Sequence, residues 1–340
     1  MKRKITLSLI CCCCINALFS QTKKPLPVID MHLDASHANA AGPPPMTMAT
    51  PFRDWGYHDP KSRFDTVFLH VMKSNLWSEK SVMSPTTDDS LQSLTIDVLK
   101  RRNVYAVTTG DIDIVRKWKK AAPDRIINAV SWTFDAVKSL GLTVDSLEKI
   151  FKSGEFKVFG EVGIQYEGYS PSDSAFEPYL AMAEKLDIPV GIHIGTGPPG
   201  APYLGTDKYR ARLHSALLLE DALVRHPKLR VYAMYAGWPM LDDMLATLYT
   251  HPQLCVDLGI ICYGLPKKEF YYYLERLVNA GFGKRIMYAS VNMVWPQTIE
   301  IGIETIEKAD FLTAEQKRDI LFNNAARFLR LTEKQIKDMQ

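Results

Sequence analysis

The residues in this chain best suited to chemistry are a few histidines and carboxylates, each at the end of a short apolar run. His32 and Asp34 lie one residue apart in Asp30-Met31-His32-Leu33-Asp34. On an extended backbone such an i, i+2 pair projects from one side and can share a divalent cation. Glu161 is flanked by Gly160 and Gly163, and His193 by Gly191 and Gly195. A further run ends Met234-Tyr235-Ala236-Gly237-Trp238-Pro239. Glycines there suit a chain that must turn away sharply or let a ligand approach closely. A lone His or Glu in such a place is more often a hydrogen-bonded structural residue than a ligand. Three of them, His32, Glu161 and His193, at successive run ends point to one common site.

Something must carry these residues to one place. The apolar runs at Val28 to Met31, Val104 to Thr108, Ile126 to Ser131, Lys157 to Gly160, Pro189 to Ile194, Arg230 to Tyr235, Leu254 to Gly259 and Arg285 to Ala289 are nearly continuous rather than alternating. That pattern marks strands buried on both faces, as in a parallel sheet. Helical periodicity lies between them at Ser90 to Arg101, Ile112 to Ala121, Val144 to Lys152, Glu177 to Lys185, Leu213 to Arg225, Met240 to Thr250 and Lys267 to Ala280, with a closing pair at Gln297 to Lys308 and Ala314 to Leu329. Eight strands alternating with helices predict an α/β fold of the (β/α)8 TIM-barrel kind. No Gly-rich phosphate loop follows the first strand, which disfavours an open doubly wound sheet. Barrel active sites are built at the C-terminal ends of the strands, where the residues above fall. Residues 35 to 90, with Gly42-Pro43-Pro44-Pro45, break the rhythm and read as a long loop insertion after the first strand, a candidate lid.

At these residues the chain resembles the amidohydrolase superfamily, in the amidohydrolase-related branch of lactonases and decarboxylases. The resemblance runs from about Val28 to Leu331. Besides the segments above, it is carried by Met293-Val294-Trp295-Pro296 and by the closing stretch Ile320 to Leu329, with Asn324-Ala325-Ala326-Arg327. It implies a metal-activated water attacking a small ester, lactone, amide or carboxylated substrate. On this alignment His32, Glu161 and His193 match the pattern, whereas Asp34 and Tyr235 take the places of histidines and Val291 that of the strand-eight Asp. His32, Asp34, Glu161 and His193 then form a four-ligand set for zinc or manganese, with Glu161 or Asp34 as proton acceptor and Tyr235 as a hydrogen-bond donor to substrate. Losing the positioned Asp would weaken hydrolysis by about 10²- to 10⁴-fold. The alternative is a pseudoenzyme of the cell envelope that binds a small ligand or a protein partner without turning it over. Tyr166, Trp238 and Trp295 are candidates to wall the substrate pocket, and His37, His58 and His70 could enter it if the lid closes.

Composition narrows the setting. Lys2-Arg3-Lys4 followed by the apolar stretch Ile5 to Phe19 has the layout of a secretory signal, with cleavage expected after Ser20. A single barrel domain over 21–340, exported to the periplasm or beyond, is the expected product. Lipid attachment through one of Cys11 to Cys14 is the competing reading. Only Cys255 and Cys262 remain outside that leader, so disulfides do not build the fold. A formal charge of +3, with no basic stripe interleaved with aromatics, argues against nucleic acid, and the block Arg116 to Lys120 reads as a solvated helix face. No later run is apolar enough for a transmembrane helix. The expected partner is a small molecule, with a homo-oligomer left open.

Overall fold

The computed structural model describes residues 25–53, 56–74, 76, 78 and 80–340. The leader expected over residues 1–20, with Cys11 to Cys14, lies outside the described residues. All eight apolar runs form strands: Val28–Ala35, Val104–Gly110, Ile126–Trp132, Val158–Val162, Val190–His193, Val231–Met234, Leu254–Asp257 and Ile286–Met287. They run parallel and pair in chain order as one eight-stranded sheet. The ring closes where Met31 N donates to the Tyr288 carbonyl (2.9 Å) and Val291 N to the His32 carbonyl (2.8 Å). The architecture is a (β/α)8 TIM barrel.

The runs are continuously apolar because helices cover the sheet outside and side chains fill it inside. The inner cluster includes Ile29, Met31, Val107, Val158, Tyr232 and Met287, and Phe322 and Phe328 pack against it. Tyr232, fully buried, donates its hydroxyl to the Met31 carbonyl at 3.3 Å. Gly191 makes room for it, since a Cβ there would lie 2.4 Å from Tyr232 Cζ. On the outer face, helix Ile112–Ala121 starts where Asp111 accepts from Asp113 N at 2.9 Å, buries Val115 and Trp118, and carries Lys119 and Lys120 in its last turn. Its basic block is a paired surface, with Arg116 on Glu155 (2.7 Å) and Lys117 on Asp89 (2.9 Å).

The structure departs from the sequence reading in several places. The helix expected over Leu213 to Arg225 is two 3-10 turns, Ala211–His214 and Ala216–Leu219, followed by a helix at Glu220–Arg225. Ser215 causes the break, for its extended backbone lets the hydroxyl cap Leu217 N and donate to Asp243 Oδ2 (2.6 Å). The helix expected to reach Ala280 ends at Leu277 and passes into a wide turn in which Gly281 is left-handed. Ala314 to Leu329 is likewise split by a wide turn at Asp319–Asn323. A helix at Phe134–Leu140 and a C-terminal one at Glu333–Met339 were not anticipated.

Residues 35 to 90 hold more structure than a loop. Thr47–Ala49 pairs antiparallel with Ser81–Met83, and Phe64–Ser74 is a helix. The segment is fastened to the barrel, since Trp295 Nε1 donates to the Met46 carbonyl (2.9 Å) and Phe52 N to the Gly264 carbonyl (2.9 Å). No helix among the described residues is long and apolar enough to cross a membrane, and Cys255 and Cys262 are free thiols.

Candidate active site

His32 and Glu161 both stand where the strand ladder is irregular. Register shifts fall between Asp30 and Leu33 on the first strand and between Phe159 and Val162 on the fourth barrel strand. Such irregularities re-aim side chains at a barrel rim. His32 Nε2 comes to 3.6 Å from Asp34 Oδ1 and 3.6 Å from Glu161 Oε2. The other Glu161 oxygen accepts hydrogen bonds from His193 Nδ1 and from the Tyr235 hydroxyl, the latter at 2.9 Å. Asp34 is steadied by Met293 N on Oδ2 (2.9 Å), and its own N–H donates to Asn292 Oδ1 (2.9 Å). The proposed centre is thus assembled from the first, fourth, fifth and sixth barrel strands.

Each charge in this knot depends on the others. Burial would push His32 down, but Asp34 and then Glu161 outweigh it and hold the imidazole up at about 10. At 3.6 Å and an effective dielectric of about 20, each carboxylate contributes about 4 to 5 kcal/mol of gross attraction. Burial likewise pushes Glu161 up, yet His193, then His32 and Tyr235, bring its carboxyl down to about 2. Burial, and then the Glu161 charge, drive the Tyr235 phenol far up, so it stays protonated and donates to Glu161.

Above the knot opens a cavity of about 810 Å³, walled by Tyr166, Trp238 and Trp295 from the sequence reading and by unanticipated residues including Phe52, Phe68, Met72 and Tyr209. Phe68 and Met72 come from the helix Phe64–Ser74, so that segment covers the mouth. The loop histidines stay outside: His37 and His70 are exposed, and His58 packs edge-on against Phe64. His37 is spoken for by Asp88 (2.6 Å).

Three more residues escaped the sequence reading. His214, fully buried, has its ring 5.0 Å from that of His193, and burial takes it down to about 3, so it is neutral. Its place in an expected helix hid it. Asp257 ends the seventh barrel strand, where Oδ1 accepts from Tyr235 N and Gly259 N, both at 2.9 Å. The nearby Gly259 was the available signal, masked because the strand was expected to run through it. Asp30 lies beneath His32, accepting from the N–H groups of His32 (3.0 Å) and Ser290 (2.9 Å). Burial raises Asp30 to about 7.

Among the described residues no three or more His, Cys, Asp or Glu side chains form a complete cation-holding cluster. Glu161 Oε1 is committed to His193 Nδ1 and the Tyr235 hydroxyl, while His193 Nε2 is buried without a hydrogen-bond partner. The donors that face one another are His32 Nε2, Asp34 Oδ1 and Glu161 Oε2, and two of their separations are close to those around a divalent ion. Ligands about 2.1 Å from a tetrahedral zinc stand roughly 3.4 Å apart, close to the two 3.6 Å separations seen here. His32 Nε2 is buried without a hydrogen-bond partner.

Fold and site together define a (β/α)8 barrel with a polar, strand-end centre under an apolar mouth. The family model described as Amidohydrolase matches residues 72–331, and the chain belongs to that family. Solved structures agree on the fold. A protein described as a probable 2-pyrone-4,6-dicarboxylic acid hydrolase, from Acinetobacter baumannii, is 13% identical with a TM-score of 0.54, covering 90% of this chain and 100% of its own. A 5-carboxyvanillate decarboxylase from Novosphingobium aromaticivorans, complexed with manganese, is 12% identical at 0.53, covering 91% and 97%. An amidohydrolase from Burkholderia multivorans with bound zinc is 14% identical at 0.51, covering 90% and 100%. No curated protein matches the sequence.

Proposed function

We propose that this chain is a hydrolase of small ester, lactone or amide substrates, working at the barrel mouth with one zinc or manganese ion and at a reduced rate. The observation that carries the reading is the buried His32 Nε2, which makes no hydrogen bond and faces one carboxylate oxygen of Asp34 and one of Glu161 at 3.6 Å. His32, Asp34 and Glu161 would hold the ion. Bound there, it would polarise a carbonyl oxygen and make a bound water acidic.

The chain's own groups do the rest. His193 and Tyr235 fix the Glu161 carboxylate and keep it ionised, so it serves as a ligand better than as a base. Asp34, held by Met293 N, is the better placed proton acceptor. Val291, at the position where the family pattern carries Asp, offers only methyl groups to the cavity, which is the source of the reduced rate. The leader-like residues 1–20 support placing this activity outside the cytoplasm.

A second reading, ligand binding without turnover, draws on the same Val291 and on the engagement of Glu161 by His193 and Tyr235. Metal content by elemental mass spectrometry, on protein purified without chelators, separates the two. Close to one equivalent of zinc or manganese, lost in His32→Ala, is expected. A folded, metal-free protein that cleaves no ester or lactone would replace the first reading with the second.

A further inference from the structure

The cavity's charge inventory narrows the substrate class, on the reading that this site binds and hydrolyses a small carbonyl compound. Among the described residues lining it, Asp34 and Glu161 are the acidic side chains, and no Lys or Arg is present. Residues 54, 55, 75, 77 and 79 include no Lys or Arg either. The cations next to lining residues in the chain, Arg53, Lys73, Lys208, Arg210 and Arg212, are all exposed. Lys267, near the lining Leu265, turns its ammonium to the Thr305 hydroxyl and the Cys262 carbonyl.

The walls therefore hold two carboxylates and no permanently cationic side chain. A carboxylate entering the cavity would lose hydration and gain no lysine or arginine counter-ion from the walls. The walls offer the opposite inducement, with Phe52, Phe68, Tyr166, Tyr209 and Trp238 presenting rings and Met72 a deformable thioether. A volume of about 810 Å³ admits one or two fused rings.

We propose that the cavity selects uncharged, ring-containing lactones and esters and excludes their carboxylated counterparts.

The probes are coumarin, methyl coumarin-3-carboxylate and coumarin-3-carboxylate, titrated calorimetrically at neutral pH into the purified protein. Both neutral probes are expected to bind at least tenfold more tightly than the carboxylate. A carboxylate that binds as well as its methyl ester would overturn the proposal, and so would failure of all three to bind. Thr196→Arg, which sets a guanidinium on the cavity wall, tests the cause. It should raise carboxylate affinity about tenfold and leave coumarin within about threefold, and an unchanged preference would refute the electrostatic argument. Hydrolysis is followed separately. Selective binding without cleavage keeps this inference and removes the hydrolase reading, whereas faster cleavage of the carboxylate does the reverse.

Discussion

Tyr235→Phe isolates one bond of the proposed centre. The Tyr235 ring sits 4.3 Å from that of His193 and 6.0 Å from that of His32, contacts that phenylalanine keeps. Only the hydroxyl that donates to Glu161 Oε1 at 2.9 Å disappears. A hydrogen bond to a charged acceptor is worth about 1.5 to 3 kcal/mol. Glu161 retains His193 on the same oxygen and His32 nearby, which favours the lower end, about 1.5 to 2 kcal/mol. With an unfolding entropy of about 2.1 cal/mol/K per residue over roughly 320 residues, the melting temperature should fall by about 2 to 3 °C. Calorimetry and urea unfolding measure both quantities. A double-mutant cycle with Glu161→Gln should return a coupling of at least about 1 kcal/mol. A variant within about 0.5 kcal/mol of the parent, or an additive cycle, would show that the hydroxyl does not hold this carboxylate.

Other substitutions probe the frame and the chemistry. Gly191→Ala should cost about 3 kcal/mol or more in urea unfolding, because its Cβ would lie 2.4 Å from the Tyr232 ring and 2.6 Å from Met234 Cε inside a filled barrel; a loss under about 1 kcal/mol would mean the interior is not packed as described. Val291→Asp should raise lactone or ester hydrolysis by zinc-supplemented protein about 10²-fold. Its backbone, at φ +47°, is one that Asp adopts more readily than a β-branched residue, so folding should not stand in the way; unchanged rates would place the deficit elsewhere. Gly200→Ala, at φ +70° and with its Cβ 2.0 Å from Phe64 Cε1, should loosen the covering helix and speed proteolysis within residues 56–74 severalfold, while an unchanged digestion pattern would argue that this helix is held by other contacts.

The eight strands, their parallel pairing and most helices could be read from the sequence because a barrel strand is buried on both faces and so reads as an unbroken apolar run. The end of each strand then marks the catalytic rim, which is why His32, Asp34, Glu161, His193 and Tyr235 could be grouped before any coordinates. Side-chain direction is another matter. It depends on register shifts at Asp30 to Leu33 and Phe159 to Val162, and a one-residue irregularity leaves no mark in composition. For the same reason nothing local announced that Glu161 would be bound by His193 and Tyr235, or that Asp257 would support the Tyr235 backbone from a neighbouring strand. The covering helix Phe64–Ser74 was hidden by the Pro- and Gly-rich turns before it, and His214 by the helical pattern around it. The sequence by itself determined the barrel and the strand ends that bear its polar residues, since burial is written in each strand's own composition. Tertiary structure alone decided which of those residues face one another, because that follows from how strands far apart in the chain are shifted against their neighbours.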